Sequence, residues 1–359
     1  MAKRIKVAIL FGGRSVEHQI SINSAKNIFQ YIDRDRFEPV LVGISKDGVW
    51  HLKDEVDDHF DPSDELVLSL NPTECVLKSA KKEVRPDAVF PVLHGTDGED
   101  GSIQGLLQAM DLPFVGTGVL GSSVSMNKLT SKRLLQASGI PVSKFLAYEF
   151  HQKDELDFEF IKKELGLPFM AKAANLGSSV GVAKVKSIAG FNEAVEDCFR
   201  FDRTVLFEVY IEGRELECSV MGNTPPRASE PAEIVISKNY EFYTYEAKYL
   251  DPNAVELHVP AKLSKDIAEK IRELSIQAYE TLHCEDFARV DLFLTPENEI
   301  LINEINTIPG FTNSSMFPMM WQEKGISFPD LITMLIEMAL DKYEVSKRIL
   351  KRYSHNARG

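Results

Sequence analysis

With 359 residues the chain exceeds one ordinary hydrophobic core, so two or three domains sharing a cleft are expected. A composition of 44% hydrophobic and 26% charged residues excludes a disordered chain. Acidic residues outnumber basic ones by 54 to 41, a formal charge of -13, which argues against nucleic acid and membrane surfaces as partners.

The opening MAKRIKVAILFGG sets basic residues before an apolar run, as a secretory leader does. The run at 7–11 is short and ends at Gly12-Gly13, so a buried first strand is expected instead. A helix from 15 to about 31, a strand at 37–44 and a turn at Lys46-Asp47-Gly48 into Val49-Trp50-His51 follow. The acidic stretch 54–65 reads as a solvated excursion. A strand at 87–93, a helix near 102–110 and Pro113-Phe114-Val115 complete a small open α/β sheet. Beyond 126 come a helix over 128–137, a strand near 144–148, a charged helix, and paired strands at 168–173 and 180–185. A helix around 191–199 then leads to strands at 205–209 and 215–221. The last third holds a long helix near 264–283, a hairpin of 287–294 and 300–305, an amphipathic helix at 329–342 and a basic tail expected to fray. No apolar stretch approaches the roughly 20 residues that span a bilayer. Cys75, Cys198, Cys218 and Cys284 lie far apart and read as reduced thiols of a cytoplasmic protein.

The hairpin is the strongest chemical signal. Side chains alternate across a strand, so Arg289 and Asp291 share one face, and Glu304 and Asn306 share a face of the partner strand. Two carboxylates and an amide oxygen suit a Mg²⁺ site for polyphosphate, the remaining positions being left to phosphate and water. An exposed face with incidental ion pairs is the alternative. Past it, Asn306-Thr307-Ile308-Pro309-Gly310 turns the chain sharply, where backbone N–H groups and Ser315 could meet a reacting group.

Three glycine-containing loops accompany it. Lys172 with Gly177-Ser178-Ser179 is consistent with a phosphate clamp on a hairpin, or with an ordinary flexible loop. The spacing is not that of a P-loop. Phe11-Gly12-Gly13-Arg14-Ser15 opens a helix and can receive an anion, yet it lacks GxGxxG, which argues against a dinucleotide oxidoreductase. Glu17 stands beside that helix start, where a capping role suffices by itself. The run His94-Gly95-Thr96-Asp97-Gly98-Glu99-Asp100-Gly101 ends an apolar strand, where open α/β sheets place ligands, although an acidic surface loop reads the same way.

Taken in order, these segments resemble the D-alanine–D-alanine ligase family of the ATP-grasp superfamily. The motifs are Phe11 to His18, His94 to Gly101 with Ser102-Ile103-Gln104-Gly105, Lys172 to Gly181, Tyr243-Thr244-Tyr245-Glu246-Ala247-Lys248-Tyr249, and Arg289 to Gly310. The resemblance runs from residue 5 to about 340. It implies an α/β fold, α+β in its C-terminal half: an N-terminal open parallel sheet that binds substrate (1–125), a central ATP-grasp unit (126–220), and a C-terminal unit with the metal and phosphate site (221–359). It implies that Lys128, Lys172, Ser179 and Lys248 contact the nucleotide phosphates, that Glu208, Tyr210 and Ile211 flank adenine, and that Glu215 meets the ribose. Asp291, Glu304 and Asn306 match the ligands of two Mg²⁺ ions, with Mn²⁺ an alternative. Glu17 would hold the first D-alanine's ammonium beside His94. Arg289 and the Gly310 N–H would face the oxyanion, and Ser315 and Met316 the second D-alanine's carboxylate.

Tyr249, Ser178 and Glu17 match a cluster that closes a loop over the site, and Tyr249 favours a dipeptide product. The implied reaction joins two D-alanines through D-alanyl phosphate for peptidoglycan precursors, in a cytoplasmic homodimer. A related ligase making D-alanyl-D-lactate or D-alanyl-D-serine is the nearest alternative, and a nucleotide-binding regulatory module the more distant one. The chain departs from the family pattern at Ala173, Asn127 and Thr244, where proline and two aspartates are usual.

Overall fold

Among the described residues, apolar, β-branched runs alternating with amphipathic helices build three open sheets and one small ribbon. The computed structural model describes residues 3–71, 77–178, 180–237, 251 and 254–349. Its first strands are β1 (Ile5–Gly12), β2 (Phe37–Ile44) and β3 (Trp50–Lys53). Three two-residue strands, β4 (Val67–Leu68), β5 (Leu77–Lys78) and β6 (Glu83–Val84), pair among themselves before β7 (Ala88–Pro91) rejoins the main sheet. The first sheet has the order β3-β2-β1-β7, with β1 parallel to both of its neighbours. Such a strand, flanked on both sides, is apolar on both faces: residues 7–11 are all buried.

The second sheet is antiparallel, in the order β10-β9-β11-β8: β8 (Phe145–Glu149), β9 (Phe169–Ala173), β10 (Val182–Val185) and β11 (Thr204–Val209). The third comprises β12 (Arg214–Met221), β13 (Arg227–Ala228), β14 (Ala232–Ile236), β15 (Val255–His258), β16 (Phe287–Leu294) and β17 (Ile300–Asn306). Its order is β15-β14-β12-β16-β17, with β13 on β12. Residues 210–213 connect the second sheet to the third.

Helix Phe328–Lys347 returns to the first sheet. Its Leu331, Leu335 and Ala339 share one core with Ile22 and Ile28 of helix His18–Tyr31 and with Val7, Ile9 and Phe11. The periods of three and four put these side chains on one stripe of each helix, each buried Leu or Ile contributing roughly 1.5–3 kcal/mol. Both ends of the described chain are thereby fixed to one layer.

Some expectations shift. The first helix begins at His18, not 15, because the Ser15 hydroxyl donates to the His94 carbonyl, 2.6 Å, and holds the preceding turn open. The stretch 54–65 is largely exposed, as expected of a solvated excursion, but it is tied to the fold: Asp58 meets the His18 ring at 2.8 Å, Lys53 reaches Asp57 at 2.7 Å, and Val56 is buried. Helices Val119–Met126 and Met316–Glu323 were not anticipated. Cys198, Cys218 and Cys284 are free, buried thiols, raised by burial to about 12, about 11 and about 12. Cys75 and the tail beyond 349 lie outside the described residues. Among those residues, no helix is long and apolar enough to cross a membrane.

Candidate active site

The β16–β17 hairpin sets the geometry. Arg289 pairs with Asn306 and Asp291 with Glu304, so the four groups anticipated from alternation stand on one face. Between Asp291 and Leu292 the register slips, since Leu292 pairs with Ile302 and Asn303 is the extra residue. Asn303 and Glu304, though consecutive, therefore both line the cleft. Arg289 grips Asp291 through two bonds of 2.7 Å and lies 3.1 Å from the buried Glu217. Lys128 Nζ sits 3.0 Å from Glu304 and donates to the Leu176 carbonyl at 2.6 Å.

Two cavities flank this face. One, of about 390 Å³, lies between the second and third sheets. Lys128, Lys172, Glu208, Tyr210, Ile211, Glu215, Asp291 and Glu304, all anticipated, line it. The other, of about 450 Å³, opens toward the first sheet, with Glu17, His94, Ser178, Arg289, Glu304, Asn306, Gly310, Ser315 and Met316 in its wall. Lys128, Leu176, Gly177, Glu217 and Glu304 line both. Ser179, Lys248 and Tyr249 lie outside the described residues.

In the wall of the first cavity, Lys172 and Glu208 belong to a buried charge cluster that continues behind it to Lys132 and Ser143. Glu208 Oε2 faces Lys172 Nζ at 3.0 Å, Lys132 Nζ at 3.4 Å and the Ser143 hydroxyl at 3.1 Å. Burial would raise the Glu208 carboxyl, but the two lysines outweigh it and hold it near 2. Burial lowers Lys132, with Glu208 opposing; for Lys172 the same burial is overcome by Glu208 and Glu304, and its ammonium is strengthened. Lys172 Nζ also lies 3.2 Å from Asn303 Oδ1. At the outer edge Lys184 stacks 3.6 Å over the Tyr210 ring.

In the second cavity Ser178, held at φ +52°, donates its hydroxyl to Glu17. Gly95 has φ +75°, and a Cβ there would meet Glu17 Oε2 at 2.5 Å, so only glycine lets the strand-end loop approach this carboxylate. His94 Nδ1 donates to the Ile308 carbonyl at 2.8 Å and lies 3.6 Å from Glu99. Burial raises Glu99 to about 7. Burial alone would lower His94, but Glu99, Glu17 and the Ile308 carbonyl bring it above its ordinary value. Gly310 abuts Ser315, which starts helix Met316–Glu323, so this helix N-terminus borders the cavity.

Lys132, Ser143, Glu217 and Asn303 went unassigned in the sequence reading. Lys132 alone had a signal there, since it follows Lys128 by four residues on an anticipated helix and so shares its face.

The site's donor set is compatible with magnesium. Among the described residues, no three His, Cys, Asp or Glu side chains gather as a cage. Asp291, Glu304 and Asn306 are hard oxygen donors on one face, an incomplete set of the kind that phosphate oxygens and water complete.

Comparison with known proteins agrees. The family model "D-ala D-ala ligase N-terminus" matches residues 6–117, and "D-ala D-ala ligase C-terminus" matches 134–337. A D-alanine–D-alanine ligase of Shouchella clausii is 46% identical over 97% of this chain and 98% of its own length. D-alanine–D-alanine ligase A of Escherichia coli K12 is 44% identical over 95% and 97%. The D-alanine–D-alanine ligase structure from Coxiella burnetii superposes with a TM-score of 0.85 at 36% identity, covering 97% of each chain. The VanG D-Ala:D-Ser ligase of Enterococcus faecalis also gives 0.85, at 32% identity, over 94% of this chain and 100% of that one. The motifs, the sheets and these matches converge: the chain belongs to the D-alanine–D-alanine ligase family.

Proposed function

We propose that the protein joins two D-alanines to D-alanyl-D-alanine at the expense of ATP. The observation that carries this reading is the seam of Lys128, Glu217 and Glu304 shared by the two cavities. A nucleotide in one and an amino acid in the other meet there, end to end.

The carboxylate of the first D-alanine attacks the γ-phosphate, expelling ADP and forming D-alanyl phosphate. The amine of the second then attacks the acyl carbon, and phosphate leaves. Glu17, steadied by Ser178, holds the first ammonium beside His94. Lys128, Lys172 and Lys248 neutralise the polyphosphate as charge shifts toward the leaving ADP, and Ser179 donates a hydrogen bond to it. Asp291, Glu304 and Asn306 would hold two divalent ions, Mg²⁺ or Mn²⁺, whose chemistry when bound is charge neutralisation on the phosphate oxygens. Arg289 and the Gly310 N–H receive the oxyanion as the tetrahedral centre forms. Ser315 and Met316, at a helix N-terminus, take the second D-alanine's carboxylate. Glu208, Tyr210 and Ile211 flank adenine, Glu215 the ribose, and Tyr249 closes the loop with Ser178 and Glu17.

The reading divides the chain near 125 and 220, and membership of β12 in the third sheet favours setting the second seam in the 210–213 connection. It extends, on the family resemblance, to a cytoplasmic homodimer serving peptidoglycan precursor synthesis.

Product analysis with D-alanine, D-serine and D-lactate offered together tests it. D-Alanyl-D-alanine is the expected main product at neutral pH; a depsipeptide or a serine-containing dipeptide in excess would displace this reading in favour of a related ligase.

A further inference from the structure

Two buried lysines serve one carboxylate in the wall of the first cavity. Lys132 is 1% exposed, Glu208 2%, and Lys132 is absent from the lining of either cavity. Lys132 Nζ, Lys172 Nζ and the Ser143 hydroxyl all converge on Glu208 Oε2. Ser143 lies 3.1 Å from Lys132 Nζ as well and completes a closed triangle. Glu208 Oε1 is buried and has no hydrogen-bond partner among the described residues. A buried acceptor left open in a cavity wall is costly unless a ligand donates to it.

We propose that Lys132 is a positioning residue for the nucleotide: it fixes Glu208 as the acceptor for the exocyclic amine of the base, and so releases Lys172 for the phosphates. This deepens the ATP reading above and rests on it. Were Lys172 the sole cation beside Glu208, its turn toward a phosphate would strand an ionised carboxylate inside the protein, a strongly unfavourable state. With Lys132 underneath, the carboxylate keeps a cation throughout. Lys132 follows Lys128 by four residues on helix Lys128–Ala137, so one helical face sends one lysine to the Glu304 seam and the next to the base end. The acceptor also sets a preference: adenine presents an amine at that edge, whereas guanine presents a carbonyl, which would face Glu208 oxygen to oxygen.

Steady-state kinetics at saturating D-alanine, with ATP and GTP varied, test this in the full-length protein. Lys132→Met should raise KM for ATP about tenfold, leave kcat within about twofold and erode the ATP-over-GTP preference by a similar factor. In the Lys132→Met/Glu208→Gln double variant KM should be no higher than in Glu208→Gln alone, because Lys132 acts only through Glu208. An unchanged KM in folded Lys132→Met, a fall in kcat at constant KM, or effects that multiply in the double variant would overturn the positioning role. If Glu208→Gln itself leaves KM for ATP unchanged, the nucleotide reading of this cavity fails and the inference falls with it. Should Lys132→Met not fold, Ser143→Ala carries the test: KM for ATP should rise about threefold at constant kcat, and no rise would refute the triangle.

Discussion

Glu304 meets Lys128 at 3.0 Å and stands opposite Asp291, so one carboxylate serves both the cationic seam and the proposed metal face. Glu304→Gln keeps the shape and removes the charge. It should cut turnover about a hundredfold or more, with the unfolding midpoint nearly unchanged, since the side chain is only partly buried. Near-normal turnover in a folded, magnesium-saturated variant would contradict the assignment. Glu208 offers a pH test with a definite sign. Its folded-state value near 2 lies below the ordinary 4.5, so its contribution to stability is complete above pH 4.5 and is lost as pH falls through about 2. Urea unfolding at stepped pH should show wild type losing stability across that window, with a shallower slope in Glu208→Gln; parallel slopes would mean that the carboxylate is not held by the lysines.

At the scale of elements, alternation along β16 and β17 was legible because period-two patterning needs no distant partner. The strand at 37–44 and helix at 128–137 were readable for the same local reason, and both occupy those residues. The bulge was not, since it exists only in the pairing of two strands. It brings Asn303 onto the catalytic side, where its amide oxygen steadies Lys172 at 3.2 Å. Asn303→Ala should therefore raise KM for ATP about fivefold without unfolding the hairpin, checked by nucleotide titration and circular dichroism; an unchanged KM would make the bulge architectural only. Helix Val119–Met126, with its serines and glycine, has little amphipathic contrast, and Gly118 supplies no side-chain cap. The strands β4 to β6, two residues each, carry too little pattern to detect.

At the scale of the molecule, a chain of net charge -13 concentrates Lys128, Lys172 and Arg289 around one seam. The order of motifs pointed to that chemistry, but not to how widely separated segments would meet. Glu17 and Ser178, far apart in sequence, share a hydrogen bond, and the last helix completes the core of the first sheet. Such meetings depend on tertiary packing, which local periodicity does not encode. The proposed reaction transfers phosphate across the seam from nucleotide to carboxylate. The most direct measurement uses D-alanine labelled with ¹⁸O in its carboxylate, with mass analysis of the phosphate released. One labelled oxygen should appear in the phosphate for each dipeptide formed. Unlabelled phosphate, released whether or not dipeptide appears, would contradict it.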